Sequence, residues 1–210
     1  MTQPTVFIVD DDEFVRDSLA ALLMAKGMEA VPFASAEAFL LGYRPVASGC
    51  AIIDMRMPGM DGIALLEHLR AGNISLPVIV VTGHGDVALA VRAMKAGAAD
   101  FIEKPYTNTA ILEAVTRTLQ TAPAGLLPDV DMADARARIA SLTSRERDIL
   151  QQLIIGNPNK VIAFQLNISP RTVEIHRANL MKKMAADSLS HLIRMALATG
   201  FPGSDAADAK

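Results

Sequence analysis

The chain predicts two folds in series, a doubly wound α/β domain on a five-stranded parallel sheet and then a small all-α domain. Three observations carry this reading. Short β-branched runs alternate with helix-patterned segments through the front half, each run stops at or beside a charged or hydroxyl residue, and strand signals cease after residue 120.

Val6-Phe7-Ile8-Val9 leads into Asp10 and Asp11, giving a strand over 5–9 and a helix near 13–26 closed by Gly27. A strand over 29–33 precedes a short helix from Ser35. Ala51-Ile52-Ile53 leads into Asp54, giving a strand over 50–54 and a helix near 61–71. Val78-Ile79-Val80-Val81 leads into Thr82 as a strand over 78–82, followed by a helix near 86–96 ending at Gly97. Phe101-Ile102 runs into Glu103-Lys104-Pro105 as a strand over 100–103, with a last helix near 108–119. Right-handed crossovers place these helices on both faces of the sheet.

Two prolines and a glycine in Ala122-Pro123-Ala124-Gly125-Leu126-Leu127-Pro128-Asp129 break any helix. The expected layout is an α/β domain over 1–121, a linker over 122–137, a helical domain over 138–200 and a flexible tail over 201–210. Residues 132–140 are weakly helical. Thr143-Ser144-Arg145-Glu146 has capping-box spacing and opens a helix to Ile155, which Gly156-Asn157-Pro158 stops. A short helix over 160–166 and a tight turn at Asn167-Ile168 follow. Ser169 is an N-cap with Pro170 at the first helical position, starting a helix to Met184; another covers 188–199. A short helix, a turn and a longer basic helix make helix-turn-helix grammar.

Half of the 210 residues are apolar, enough for real cores. No apolar run reaches the ~18 residues of a membrane span, and Met1-Thr2-Gln3-Pro4 opens no signal peptide. A cytoplasmic protein with no membrane partner is expected. The single cysteine, Cys50, rules out an internal disulfide. The net charge of −3 conceals an asymmetry: nine Lys/Arg face fourteen Asp/Glu over 1–120, whereas eight face four over 143–196. An acidic front and a basic back suggest a metal or phosphoryl site joined to a polyanion binder.

Open parallel sheets bind ligands at the carboxyl ends of their strands, so Asp10, Asp11, Asp54, Thr82 and Lys104 gather at one rim. Mg²⁺ takes oxygen ligands and keeps several waters. Asp10 and Asp11 suit one direct and one water-mediated contact, and Asp54 suits a third. The other Asp54 oxygen is then placed to attack phosphorus and form an acyl phosphate. Lys104 suits one phosphoryl oxygen and Thr82 another. Singly, each has a plainer reading. Acid pairs at strand ends cap helices, as Asp12 with Glu13 suits here; a buried Thr packs; Lys-Pro is a solvated turn. Together, one per strand end, they leave that reading little room.

Ile8-Val9-Asp10-Asp11-Asp12, Asp54-Met55-Arg56-Met57-Pro58-Gly59-Met60-Asp61-Gly62, Thr82-Gly83 and Phe101-Ile102-Glu103-Lys104-Pro105 together resemble the receiver domain of bacterial response regulators, a flavodoxin-like fold. The resemblance implies that Asp54 accepts a phosphoryl group from a histidine of a sensor kinase. It implies Asp11 and Asp54 as Mg²⁺ ligands, Asp10 through water and Arg56 through its carbonyl, with Mn²⁺ as a substitute metal. Thr82 and Phe101 would be a switch pair, the ring turning inward when Thr82 moves toward the phosphoryl group. Dimerisation through the fourth helix and fifth strand would follow, with Val91, Lys95 and Glu103 on that face.

In the helix from Pro170, Val173, Leu180 and Met184 share one face at 100° per residue, while Arg171, Ile175, Ala178 and Lys182 share the other, with Glu174 beside them. A groove-lying helix of this kind reads bases. Arg171 suits guanine, Glu174 suits cytosine N4, and Ile175 or Ala178 suits a thymine methyl. Lys160, Thr172, Arg177 and Lys182 suit phosphates, which position without specifying. The plainer reading is a solvated bundle helix. Leu142 to Glu146, Gly156 to Lys160, Ile162-Ala163, Leu166 to His176 and Lys182 to Met184 resemble the LuxR-type DNA-binding domain.

A receiver joined to that domain resembles the NarL/FixJ class of transcription regulators. The class implies a sensor histidine kinase of the FixL type, promoter double-stranded DNA and RNA polymerase as partners, and a homodimer when phosphorylated. Activation of transcription is expected rather than enzymatic turnover, with nitrogen-fixation or oxygen-responsive genes as targets. His84 and His176 lack partners at metal-ligand spacing and read as structural or DNA-proximal. Two alternatives remain. Asp10-Asp11-Asp12 has the Asp-x-Asp spacing of haloacid-dehalogenase-type phosphatases, though no cap domain is visible and Asp54 would lack a role. The other is a receiver that acts through protein contacts only.

Overall fold

The computed structural model describes residues 3–83, 87–121 and 131–201. The expected linker up to residue 130, the tail beyond Phe201 and His84 lie outside the described residues. The front half runs β1 (Thr5–Val9), α1 (Glu13–Met24), β2 (Glu29–Phe33), α2 (Ala36–Gly42), β3 (Gly49–Asp54), α3 (Gly62–Ala71), β4 (Val78–Thr82), α4 (Val87–Lys95), β5 (Asp100–Glu103) and α5 (Asn108–Thr121). All five strands are parallel, in the order β2-β1-β3-β4-β5. The doubly wound α/β fold expected from the sequence is the one observed.

Strand parity explains the unbroken apolar runs. On one face Val6, Ile8, Cys50, Ile52, Ile79 and Val81 meet Leu19 and Leu23 of α1 and Ile111, Ala114 and Val115 of α5. On the other, Phe7 meets Phe39 edge-on at 5.7 Å and Tyr43 at 5.3 Å. Both faces are therefore dry, so β1, β3 and β4 need apolar residues at nearly every position. Edge strand β2 is only partly buried and tolerates Pro32, which has no N–H to donate. Burial pushes the Cys50 thiol up to about 12, so it serves packing.

By internal packing the chain divides into residues 1–84 with 96–128, and residues 85–95 with 129–210. In α4, Val87, Ala90, Val91, Ala93 and Met94 are buried.

The helical half comprises α6 (Met132–Ala140), α7 (Ser144–Ile155), α8 (Asn159–Gln165), α9 (Pro170–Met184) and α10 (Leu189–Ala198). Its start differs from the linker expected over 122–137. Asp131 caps α6 by accepting from the Ala133 and Asp134 amides, and Ala135 and Ile139 are buried in the same core as Ile149, Leu153, Val173 and Leu180. Residues 131–137 therefore belong to the folded unit rather than to a linker. Phe201 also packs against this core instead of starting a tail. Gly156 ends α7 with φ of 96°, a left-handed value that favours glycine. Among the described residues no helix is long and apolar enough to cross a membrane.

The α7 capping box forms as the sequence predicts: Thr143 Oγ1 accepts from the Glu146 N–H at 3.3 Å, and Glu146 Oε2 accepts from the Thr143 N–H at 2.8 Å. Glu146 is only 4% exposed. Burial alone would raise its pKa, but the Lys183 ammonium and the Thr143 donors outweigh that and hold it below the usual value. A carboxylate with a depressed folded pKa contributes stability above its unfolded pKa and loses it as pH falls through the folded value. The helical unit is accordingly expected to lose stability from about pH 4.5 downward. Glu146→Gln should flatten that limb in urea titrations followed by circular dichroism.

Candidate functional site

The strand order reverses at β1, which lies between β2 and β3, and such a switch point opens a crevice beyond the carboxyl ends of β1 and β3. Asp10 follows β1 and Asp54 ends β3, and they are only 4% and 6% exposed. Lys104, just past β5, donates to Asp54 Oδ1 at 2.5 Å and to Asp10 Oδ2 at 3.4 Å. Asp54 Oδ2 accepts from the Arg56 N–H at 2.7 Å, which fixes the rotation of the carboxylate. Burial raises the Asp10 pKa and the Asp54 charge adds to that rise, against the lowering effects of the Asp12 amide and Lys104. Burial alone would lower Lys104; its hydrogen bond to Asp54 and the two acidic charges reverse this and raise it. The Lys104–Pro105 peptide is cis.

Thr82 ends β4 with 1% exposure, and its Oγ1 donates to the Gly83 carbonyl at 3.0 Å. Phe101 in β5 is half-buried. Asp11 is exposed at the rim. Asp12 accepts from the Phe14 N–H at 2.9 Å as the N-cap of α1, and Glu13 occupies the first turn. Among the described residues no group of three or more His, Cys, Asp or Glu is arranged to hold a metal. What the structure assembles is two carboxylates beside a backbone loop. Two hard-oxygen side chains with open coordination fit Mg²⁺, which seldom takes an all-protein cage.

In α9 the two faces separate as the spacing predicts. Val173, Leu180 and Met184 are fully buried, whereas Arg171, Glu174, Ile175, Ala178 and Lys182 are exposed. Ser169 Oγ accepts from the Thr172 N–H at 3.0 Å and pairs with Thr172 Oγ1 at 2.8 Å. Arg171 and Glu174 form an exposed ion pair at 3.1 Å. Half-buried Arg177 donates to Asn159 Oδ1 of α8 at 2.5 Å, so it ties the two helices together. Lys160 is exposed near the start of α8. His176 is half-buried.

Comparison with known families matches residues 6–116 to the response regulator receiver domain and residues 140–196 to the bacterial regulatory proteins of the luxR family. The transcriptional regulatory protein FixJ of Rhizobium meliloti (strain 1021) is 53% identical over 96% of this chain and 98% of its own length. FixJ of Bradyrhizobium diazoefficiens is 43% identical over 95% of this chain and 97% of its own. A solved full-length FixJ from B. japonicum aligns with TM-score 0.54 and 41% identity, covering 96% of this chain and all of that one. This chain belongs to the response regulators that carry a luxR-type domain. It is a FixJ-like two-component transcription regulator, and its family is not a class of enzymes.

Several supports of the site escaped the sequence reading. Arg16 of α1 donates to the Asp10 carbonyl at 2.7 Å, holding the β1–α1 turn. Glu37 of α2 accepts from the Met60 N–H at 3.0 Å, pinning the loop after Asp54. Gly62 lets that loop fold back on β3, donating its N–H to the Met55 carbonyl at 3.2 Å. Its position right after the helix cap Asp61 was the available signal. On the expected dimer face Val91 is 2% exposed, Lys95 exposed and Glu103 half-buried. An amphipathic period places residues on a helix but does not say which faces are covered.

A Cβ at Gly62 would lie 2.5 Å from the Asp54 carbonyl oxygen and 2.9 Å from Met55 Cα. Gly62→Ala must therefore displace the backbone of Asp54. The expected loss is about 1–3 kcal/mol of stability in urea unfolding, typical of overpacking, with slower labelling of the chain by acetyl phosphate.

Proposed function

We propose that Asp54 is the phosphoacceptor of this regulator and that its phosphorylation controls promoter binding by the α9 helix. The observation that carries the reading is the buried Asp54 carboxylate, held by the Arg56 N–H and adjoined by the Lys104 ammonium at a strand-order switch point. An Asp54 oxygen attacks the phosphorus of a kinase phosphohistidine. The O–P bond forms, the P–N bond breaks, and the imidazole nitrogen keeps the electron pair and takes a proton. Lys104 stabilises charge on the transferred group, and the Thr82 hydroxyl exchanges its Gly83 partner for a phosphoryl oxygen. Asp10, Asp11, Asp54 and the Arg56 carbonyl would hold Mg²⁺, with Mn²⁺ as a substitute. The ion would supply charge neutralisation between carboxylate and phosphoryl oxygens.

The movement of Thr82 opens room for the half-buried Phe101 ring, and the phosphorylated state is selected because only it makes these contacts. A homodimer through α4 and β5, with Lys95 and Glu103 on its face, then brings two α9 helices to two half-sites. Arg171, Glu174, Ile175 and Ala178 read bases, while Lys160, Thr172, Arg177 and Lys182 approach phosphates. The partners are a FixL-like sensor kinase, promoter DNA and RNA polymerase, in the cytoplasm. Likeness to FixJ and to nodulation protein W of Bradyrhizobium diazoefficiens, 37% identical, supports activation of nitrogen-fixation or oxygen-responsive genes. The phosphatase alternative is disfavoured because Asp12 serves as the N-cap of α1 and the buried Asp54 would have no role in it.

Asp54→Asn is expected to abolish labelling by acetyl phosphate in the presence of Mg²⁺; full-stoichiometry label in intact-mass spectra would refute the assignment. On the DNA side, Lys160→Ala should weaken all sequences alike and lower the salt slope by about 1, whereas Glu174→Ala should change the preferred sequence. Fluorescence anisotropy across a salt series reads both.

A further inference from the structure

The basic character of the helical half invites the assumption that each of its exposed cations faces phosphate. Lys183, in the last turn of α9, does not fit. Its Nζ donates to Glu146 Oε2 of α7 at 2.7 Å. The same oxygen accepts from the Thr143 N–H and the Thr143 hydroxyl, each at 2.8 Å. Arg138 of α6 reaches the Lys183 carbonyl at 3.4 Å. We infer that Glu146 is a positioning residue for DNA readout, setting the axial place and roll of α9 through Lys183. The inference rests on α9 being the groove helix.

The apolar anchors of α9, Leu180 and Met184, are fully buried, but apolar burial is non-directional and resists sliding or rotation weakly. A charge-assisted hydrogen bond has a preferred length and angle, so it discriminates between positions that the core accepts equally. Glu146 is itself fixed, because two of its bonds go to the first residue of its own capping box. A rigid acid on α7 therefore grips a cation on α9. Ile175 lies eight residues from Lys183, roughly 12 Å along the axis at 1.5 Å per residue. A small tilt at the gripped end becomes a displacement at the bases comparable with the ~0.5 Å tolerance of a working site. Lys183 is 39% exposed, so the pair adds little net stability; what it supplies is a choice of one arrangement among several.

The test uses the full chain and two duplexes: one selected by the unaltered chain from a random-sequence library, and a scrambled version of it. Glu146→Gln, Lys183→Met and the double variant are compared. Each single change should lower the affinity ratio between the duplexes about tenfold, the worth of one lost base-pair preference, while the slope of log K against log salt stays unchanged. The double variant should fall no further than either single. If Lys183→Met weakens both duplexes equally and reduces the slope by about 1, Lys183 is a phosphate contact and the proposal fails. It also fails if the losses add or if the ratio is unmoved in Glu146→Gln. Should a single variant fail to give a cooperative thermal transition, the double variant, which buries neither charge, decides by its ratio alone. Glu174→Ala, measured beside them, tests the groove assignment separately: an unchanged sequence preference there overturns that assignment, whatever Glu146 does.

Discussion

Two carboxylates, Asp10 and Asp54, sit almost fully buried at the ends of neighbouring strands, and the Lys104 ammonium reaches both. The remainder of the sheet unit is organised around that arrangement. Burying one carboxylate is costly, and two would repel, so the fold must supply a compensating charge. It does so from β5, two strands away from β3, which ties three strand ends to one electrostatic centre. Adding a phosphoryl group to Asp54 places further negative charge in this centre. On the proposed function, the rim would answer with the ammonium and the Thr82 hydroxyl. A site balanced between two acids and one base is thus already poised to rearrange when its charge changes.

The helical half uses the same device for another end. Glu146 is as buried as Asp10 and is also neutralised by one lysine. There the acid belongs to a capping box, so its backbone is immobilised before the lysine is engaged. In the sheet unit the acids end strands, and on the proposed function the compensating charge is shared with an incoming group. In the helical unit one carboxylate oxygen, Glu146 Oε2, takes the Lys183 ammonium and both Thr143 donors. A charge shared with an incoming group suits a reactive centre; a charge held by local bonds suits a fixed joint.

Much of this was readable in the chain because β1, β3 and β4 are dry on both faces and so announce themselves as apolar, mostly β-branched runs. Caps were equally plain: Thr143 with Glu146, and Ser169 with Pro170, mark helix starts by their own chemistry. What escaped were tertiary hydrogen bonds to backbone groups. Glu37 acts on Met60 and Arg16 on a carbonyl, and neither pairing leaves a periodic trace. Helix α6 was assigned in part to linker because it is polar and alanine-rich, burying only Ala135 and Ile139. The helical face of Val91 was evident, but whether that face meets protein or water is decided by packing.

The exposed Arg171–Glu174 pair bears on how readout begins. Both side chains are open to solvent, at 82% and 52%, and their contact at 3.1 Å links residues three apart on one helix. Exposed pairs of this kind contribute about 0.2–1 kcal/mol, whereas a good bidentate contact to a base discriminates by about 1–3 kcal/mol. If α9 reads bases as proposed, breaking the pair to address guanine and cytosine would cost less than the contacts return. On DNA without such bases Glu174 would remain an acid facing phosphates, a repulsion relieved on the matching sequence. An acid in a groove helix thus sharpens choice by penalising the alternatives more than by strengthening the match.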